Sequence, residues 1–235
     1  GAIANTAVIG SSASASVKLA ASSVNQVLLG TFDTAGTAKG IDVVGNTAYV
    51  ADYTSGLQII DITNPVAPTL TYTYAGTIEG VTVIGNVAYV ADGTSLKIID
   101  VATPTTPTLK GAYDTGATIG TWDVDVVGNT AYVVDDDLQI IDVSNPAAPT
   151  LKKEFITAGS ALDVAVVGNT AYVADFGGGL EIIDITTPAN PTLKGTQATT
   201  QARGVAVVGN TAYVADSGSG LRVIDVTTPA NPTLT

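Results

Sequence analysis

One ten-residue segment recurs along this chain, and its recurrence constrains the fold more than any other feature. In its clearest copy, residues 207–216, it reads VVGNTAYVAD, and a Leu-x-x-Ile-Asp segment and a Pro-x-x-Pro pair follow it. The Asn of its Gly-Asn step recurs as Asn46, Asn86, Asn129, Asn169 and Asn210, with a period of 40 to 43 residues. A fixed period of this length indicates a solenoid, a propeller or another repeat array.

Each repeat contains four short segments that are typical of β-strands. A Val-rich first strand and a Tyr-containing second strand flank the Gly-Asn step, which is a strong signal for a tight hairpin. The third strand reads Leu-x-Ile-Ile-Asp, as at 57–61, and the Pro-x-x-Pro pair separates it from a short fourth strand. Proline cannot donate a hydrogen bond to a neighbouring strand, so the pair predicts a loop that leads into an edge strand. Four antiparallel strands in each repeat predict the blades of a β-propeller.

The number of blades depends on the interpretation of residues 1–38. Three segments there occupy the places of the second, third and fourth strands of a repeat: Asn5 to Ile9, Val17 to Ala20 and Val27 to Asp33. We therefore predict a single all-β domain over 1–235, a six-bladed propeller of four-stranded antiparallel blades. Its first blade, 1–38, is degenerate, its regular repeats cover 39–235, and its last blade is truncated in the fourth strand. The alternative is a five-bladed propeller with an N-terminal arm.

The Leu-x-Ile-Ile-Asp strand and the proline pair after it resemble the repeats of the LVIVD-repeat proteins. Five copies between Ile41 and Leu234 carry the resemblance. It implies a propeller fold and a location at microbial surfaces, and it brings little defined chemistry with it. The low Lys content and the abundance of Thr, Ala, Val and Gly also favour an extracellular or cell-surface location.

Composition excludes several classes of function. The net charge is −12, from 21 acidic and 9 basic residues, which argues against nucleic acid and against an anionic membrane surface as partners. No run of about 18 apolar residues is present, so we expect no membrane span. The absence of His and Cys removes the usual nucleophile–base pairs and the usual zinc ligands.

Acidic residues that occur in single blades are the remaining candidates for chemistry. Asp42 and Asp125 share one position of the first strand, and Asp123 and Asp163 share the position two residues earlier. Side chains two residues apart lie on one face of a strand, and the first strands of propellers line a central channel. We therefore predict that these four carboxylates form a site for Ca²⁺ or a polar ligand. The alternative is a solvated acidic channel without a cofactor.

Trp122, the only tryptophan, adjoins these acids in the sequence. An aromatic ring beside carboxylates suits contact with a sugar, so Trp122 is a candidate binding residue. Packing in the core is the alternative.

Two further sets of aspartates recur in all five regular repeats. They are Asp52, Asp92, Asp135, Asp175 and Asp216 after the second strand, and Asp61, Asp100, Asp142, Asp184 and Asp225 at the end of the third. Asp commonly accepts backbone N–H groups in turns, and a single cation site needs no copy in every blade. We therefore predict turn-forming roles for both sets, with a ring of cation ligands as the alternative.

These features predict a non-enzymatic, extracellular or cell-surface propeller that acts as a structural or interaction module. The loops that join the blades, such as 34–39 and 115–121, vary most between repeats, and variable loops on a rigid scaffold commonly carry binding. The expected partners are further copies of the chain, in an oligomer or filament formed by strand addition at its ends, or another surface protein or glycan. The alternative is a carbohydrate-binding protein or a hydrolase that uses the acidic channel residues.

Overall fold

The structure is a computed structural model, and it describes residues 28–235. These residues form twenty β-strands, arranged as five four-stranded antiparallel sheets, with no helix among them. Within this described range, no helix is long and apolar enough to cross a membrane. The all-β fold and the four-stranded antiparallel blade predicted from the repeat are confirmed.

The five sheets are numbered as blades 1 to 5 in chain order. Blade 1 contains β1 Gly40–Val44, β2 Thr47–Ala51, β3 Leu57–Asp61 and β4 Thr69–Tyr74. Blade 2 contains β5 Ile78–Ile84, β6 Val87–Asp92, β7 Ser95–Asp100 and β8 Thr108–Asp114. Blade 3 contains β9 Asp123–Val127, β10 Thr130–Val134, β11 Leu138–Asp142 and β12 Thr150–Phe155. Blade 4 contains β13 Ala161–Val167, β14 Thr170–Asp175, β15 Gly179–Asp184 and β16 Thr192–Gln197, and blade 5 contains β17 Ala202–Val208, β18 Thr211–Asp216, β19 Gly220–Asp225 and β20 Thr233–Leu234.

The Gly-Asn step forms the turn between the first two strands of each of these blades. In blade 1, Val44 pairs with Thr47, so Gly45 and Asn46 alone make the turn. Gly45 has a φ of 60°, as the first central residue of a type II′ turn requires, and this turn matches the twist of the flanking strands. The same two-residue turn recurs in the other four blades.

Apolar side chains pack between successive blades. Tyr49, Ala51, Leu57 and Ile59 of blade 1 pack against a Val- and Ile-rich face of blade 2. The pattern repeats between the later pairs of blades. Because side chains alternate along a strand, each blade has two apolar faces. We call the face with this Tyr, Ala, Leu and Ile the forward face, because it packs against the next blade along the chain.

The first strands of successive blades lie side by side along one edge of the array. Contacts join β1 to β5, β5 to β9, β9 to β13 and β13 to β17. Between β17 and β1 no comparable set of contacts exists within residues 28–235. The described blades therefore form an arc with two ends.

Among residues 28–235, no further blade covers the forward face of blade 5. Its Leu221 is 39% exposed, whereas the equivalent leucines of the other four blades, Leu57, Leu96, Leu138 and Leu180, are all 0% exposed. On the same face Ala215 is exposed, and Tyr213 and Val223 are half-buried. The outer strand β20 pairs only with Ile224 and Asp225 of β19. Blade 5 thus presents apolar surface that the other forward faces bury.

The predicted degenerate first blade falls mainly on residues 1–27, which lie outside the described residues. Residues 28–38 form no strand, although the sequence predicts a fourth strand up to Asp33. The ladder of a strand needs a partner, and no partner for this segment is among the described residues. Five regular blades are confirmed, and the sixth stays a prediction.

Residues 28–38 nevertheless lie where the outer strand of a preceding blade would lie. Phe32 packs against Ala48, Val50 and Ile60 of blade 1. A Cβ atom on Gly30 would collide with the carbonyl oxygen of Pro65, just as Gly111 and Gly195 of outer strands β8 and β16 lie against proline loops of the following blades. Residues 30–33 read Gly-Thr-Phe-Asp and residues 111–114 read Gly-Ala-Tyr-Asp, so this sequence match corresponds to a shared position in the array.

Candidate functional site

The acids that occur in single blades link one blade to the next. The Asp42 carboxylate accepts a hydrogen bond from the backbone N–H of Val83, at 2.6 Å. Asp125 makes the same link one pair further on, accepting from the N–H of Val166 at 2.7 Å. Both bonds join a first strand to the first strand of the following blade, so these carboxylates help to set the spacing of the blades.

The other strand position makes equivalent links. Asp163 accepts from the N–H of Val205 at 2.6 Å, and Asp123 accepts a longer bond from the N–H of Val164 at 3.4 Å. In blade 2 a hydroxyl does this work, since Thr82 Oγ1 donates to the carbonyl oxygen of Val124 at 2.7 Å. Each of blades 1 to 4 thus carries at least one such polar link. Blade 5 has Gly204 and Ala206 at the two positions.

Asp123 and Asp163 form an acid pair. Burial raises the pKa of Asp163 well above its usual range, and the charge of Asp123 and a hydrogen bond to its carboxyl raise it further. Burial also raises the pKa of Asp125, with the charges of Asp123 and Asp42 adding to it, while hydrogen bonds from Val166 and Val126 oppose the rise. A proton on Asp163 would relieve its repulsion by the neighbouring carboxylate.

The structure places the four predicted cation ligands in a row of inter-blade links. In the described part of the chain, no three acidic side chains are grouped so that they could hold a metal ion. Oxygen ligands remain on these residues, and Ca²⁺ binding there stays a prediction. A melting temperature that rises with added Ca²⁺ is its test, because a ligand that binds only the folded state stabilises it.

The recurrent aspartates serve turns, as predicted. At the end of the third strand, Asp61 accepts the N–H of Thr63 at 2.8 Å, and the same bond to the residue two positions on recurs in the other blades. After the second strand, Asp52 accepts from the N–H of Gly36, and Asp92 accepts from the N–H of Thr77. Asp175 and Asp216 make equivalent bonds, so four members of the second set anchor loops that join blades, while Asp135 accepts the N–H of Asp137 within its own turn.

Hydrogen bonds and a nearby lysine lower the pKa of two of these turn aspartates. Bonds from Ser144 and Lys152 lower the pKa of Asp142 to about 2, and Thr186 and Lys194 do the same for Asp184. Both carboxylates are therefore ionised at pH 7.

Sequence reasoning missed a position that differs in every blade. Six residues before the Gly of the Gly-Asn step, the five regular repeats have Lys39, Glu79, Trp122, Leu162 and Arg203. We call this the variable position. Aligning the repeats would have found it, because the neighbouring strand residues recur while this one changes in size and charge.

The first three variable residues line one open cleft across blades 1 to 3, with a volume of about 490 Å³. Lys39 Nζ lies 3.7 Å from Glu79 Oε2 and 5.4 Å from the centre of the Tyr53 ring, and burial raises the pKa of Glu79. The cleft also includes Ile119, from the loop that joins blades 2 and 3. This places it among the variable loops, where we expected binding.

Trp122 contributes to both the core and this cleft. It is half-buried, packs against the apolar cluster between blades 3 and 4, and lines the cleft. Its indole N–H is buried and has no hydrogen-bond acceptor among the described residues. The structure therefore bears out core packing for Trp122 and leaves contact with a sugar as a prediction.

Comparison with solved structures finds similar folds at low sequence identity, one of which is described as a β-propeller domain. A computationally designed protein, Ika8, superposes with a TM-score of 0.62 at 11% identity, covering 80% of this chain and 57% of that chain. A functionally unknown protein from Desulfotomaculum acetoxidans gives a TM-score of 0.69 at 13% identity, covering 88% of this chain and 73% of that one. The β-propeller domain of Cps50 (Swd1) from Myceliophteria thermophila gives 0.69 at 12% identity, covering 86% and 71%. These similarities show a propeller-like fold.

No curated protein matches the sequence significantly. The model of the LVIVD repeat matches five times, at residues 35–76, 75–115, 120–157, 158–199 and 200–235. These matches coincide with the five blades of the structure. The chain is therefore a propeller-like repeat protein and belongs to the LVIVD-repeat family.

Proposed function

We propose that this chain is a non-enzymatic interaction module that works outside the cell and associates with further copies of itself. The exposed forward face of blade 5 carries the proposal. Leu221 is 39% exposed there, while its four counterparts are completely buried against a following blade. Exposed apolar surface of this kind marks an interaction site.

The chemistry of the face indicates its occupant. Forward faces of blades 1 to 4 receive small and β-branched apolar side chains from a sheet. A blade-like sheet of the same composition is therefore the surface that fits Tyr213, Leu221 and Val223. Strand addition along the unpaired part of β19 would extend the same contact, because unpaired backbone groups of an edge strand accept another strand.

A second copy of the chain is the occupant that we propose for this face. A contact in which one end of the array meets the other end of a second copy is heterologous, and such contacts build rings or filaments.

The environment of the blade-specific acids supports a non-enzymatic role. Asp42, Asp125 and Asp163 already accept short hydrogen bonds from backbone N–H groups of neighbouring blades. A carboxylate held in this way links the scaffold. The composition, with few lysines and abundant Thr, Ala, Val and Gly, supports a location at or outside the cell surface.

Sedimentation velocity tests the proposed association. We expect the parent protein to sediment above the monomer mass of 23.5 kDa, with a mass that rises with concentration. Leu221→Lys should return it to the monomer, because a charge on the contact face is costly to bury. Leu193→Lys is the matched control, since Leu193 is 51% exposed on the outer strand of blade 4, and this variant should behave as the parent. A parent that stays monomeric at every concentration would overturn the proposal.

A further inference from the structure

We infer that the cleft between blades 1 and 3 is a binding site for a neutral carbohydrate. The cleft is lined by Lys39, Glu79 and Trp122 at the variable position, and by Tyr53 and Ile119 from the adjoining turns and loops. Its volume of about 490 Å³ lies within the range of about 300–1,000 Å³ that is typical of ligand clefts. It is separate from the forward face of blade 5.

The pattern of variation points to a ligand. Positions that serve the scaffold recur, as the second-strand Tyr does in all five regular repeats. At the variable position, three neighbouring blades instead place a cation, an anion and an indole around one cleft. A repeating scaffold does not need three different side chains at equivalent positions. A single asymmetric ligand does, because each of its sides presents different chemistry.

The aromatic groups suit a sugar ring. Tyr53 and Trp122 both line the cleft, and Ile119 is 59% exposed there. The C–H groups on one face of a pyranose form an apolar surface, which packs on an aromatic face, while the ring hydroxyls stay available for hydrogen bonds. Hydroxyls of Thr77 and Thr94 line the same cleft and can both donate and accept.

The charges of the cleft favour a neutral ligand. Lys39 and Glu79 lie 3.7 Å apart, so their charges offset each other. An anionic or cationic ligand would meet one attractive and one repulsive group, whereas sugar hydroxyls can donate to the carboxylate and accept from the ammonium. A neutral oligosaccharide satisfies both.

The backbone at Tyr53 is a second, independent sign of a functional position. Tyr53 has a φ of 48°, the only positive φ of a residue other than Gly in the described chain. Bulky side chains rarely adopt this conformation, and such strain is concentrated at functional sites. Blade 2 has Gly93 at the same turn position, so the turn itself does not need a tyrosine.

Fluorescence of the single tryptophan tests the inference directly. Because Trp122 is the only Trp, the emission comes from a single side chain that lines this cleft. We would titrate the full chain with maltotriose, cellotriose and mannotriose, and we expect a saturable change with at least one of them. Tyr53→Gly should weaken that binding at least ~10-fold, equivalent to ~1.4 kcal/mol. Gly relaxes the positive φ, so loss of binding in this variant is not due to a strained fold.

Phe176→Gly provides the matched control. Phe176 holds the same turn position in blade 4 and does not line the cleft, so this variant should bind as the parent does. The inference fails if no neutral trisaccharide gives a saturable change at ~10 mM, a level that detects weak binding. It also fails if Tyr53→Gly binds as tightly as the parent, or if only peptides or oligogalacturonates saturate the signal.

Discussion

The Asp123–Asp163 pair makes the stability of the contact between blades 3 and 4 depend on pH. The raised pKa of Asp163, caused by burial and by Asp123, means that the folded protein holds a proton more tightly than the unfolded chain. Stability from this group is therefore fully present below the pKa of the unfolded chain, about 3.9. It is lost as the pH rises through the raised pKa.

Asp163→Asn should raise the melting temperature at pH 7. The amide oxygen can still accept the N–H of Val205, and the variant has no second negative charge beside Asp123. The gain over the parent should shrink at pH 4, where the parent carboxyl is protonated more fully. Melting curves at both pH values make the comparison. A lower melting temperature for Asp163→Asn than for the parent at pH 7 would show that the negative charge itself is required.

Residue roles were predictable from the sequence only where the repeat itself carries them. The turn aspartates were predicted correctly because the same residue recurs at each turn and bonds locally, as Asp61 does with Thr63. The bond from Val83 to Asp42 joins residues 41 positions apart, and it depends on how closely two blades approach. Tyr53 was missed for a related reason, because its place in a cleft is set by blades 2 and 3.

At the scale of the blade, equivalent leucines differ in exposure between a forward face that the next blade covers and the forward face of blade 5. Leu138 is 0% exposed between blades 3 and 4, and Leu221 is 39% exposed on blade 5. Leu138→Ala should lower the free energy of unfolding by about 2–5 kcal/mol, through lost burial and a residual cavity. In urea denaturation of dilute protein, Leu221→Ala should cost less than about 1 kcal/mol, because surface substitutions have small effects.

Two other side chains check the same packing. Tyr132 and Ile140 are 3% and 0% exposed within the cluster that joins blades 3 and 4. Truncation of either to Ala should also cost about 2–5 kcal/mol. Equal losses for Leu138→Ala and Leu221→Ala in the monomer would contradict an uncovered forward face.

The elements were largely predictable because their signals are local. The Gly-Asn step and the Leu-x-Ile-Ile-Asp strand fix a hairpin and its partner in every repeat. The segment up to Asp33 was predicted to be an outer strand. In the structure it lies at the position of an outer strand, but it forms no strand. The sequence similarity predicted where this segment lies in the array. It could not predict a strand, because a strand also needs a hydrogen-bonded partner.

At the scale of the whole molecule, repeat counting predicts blades and cannot predict closure. Each repeat specifies the same blade, but the angle between blades results from packing of the side chains between them, summed over the array. The polar links show where the regular series changes, since blades 1 to 4 carry them and blade 5 has Gly204 and Ala206 instead. Blade 5 therefore lacks the polar link and exposes an apolar face, as we expect of an end that contacts another copy of the chain.

Negative-stain electron microscopy of the purified protein beside its Leu221→Lys variant tests the proposed association most directly. We expect the parent to form rings or rows of joined particles, because the forward face of blade 5 meets another copy. We expect single particles for Leu221→Lys under the same conditions, and rings or rows again for Leu193→Lys. Single, separate particles for the parent at every protein concentration tested would contradict the claim that this face joins copies.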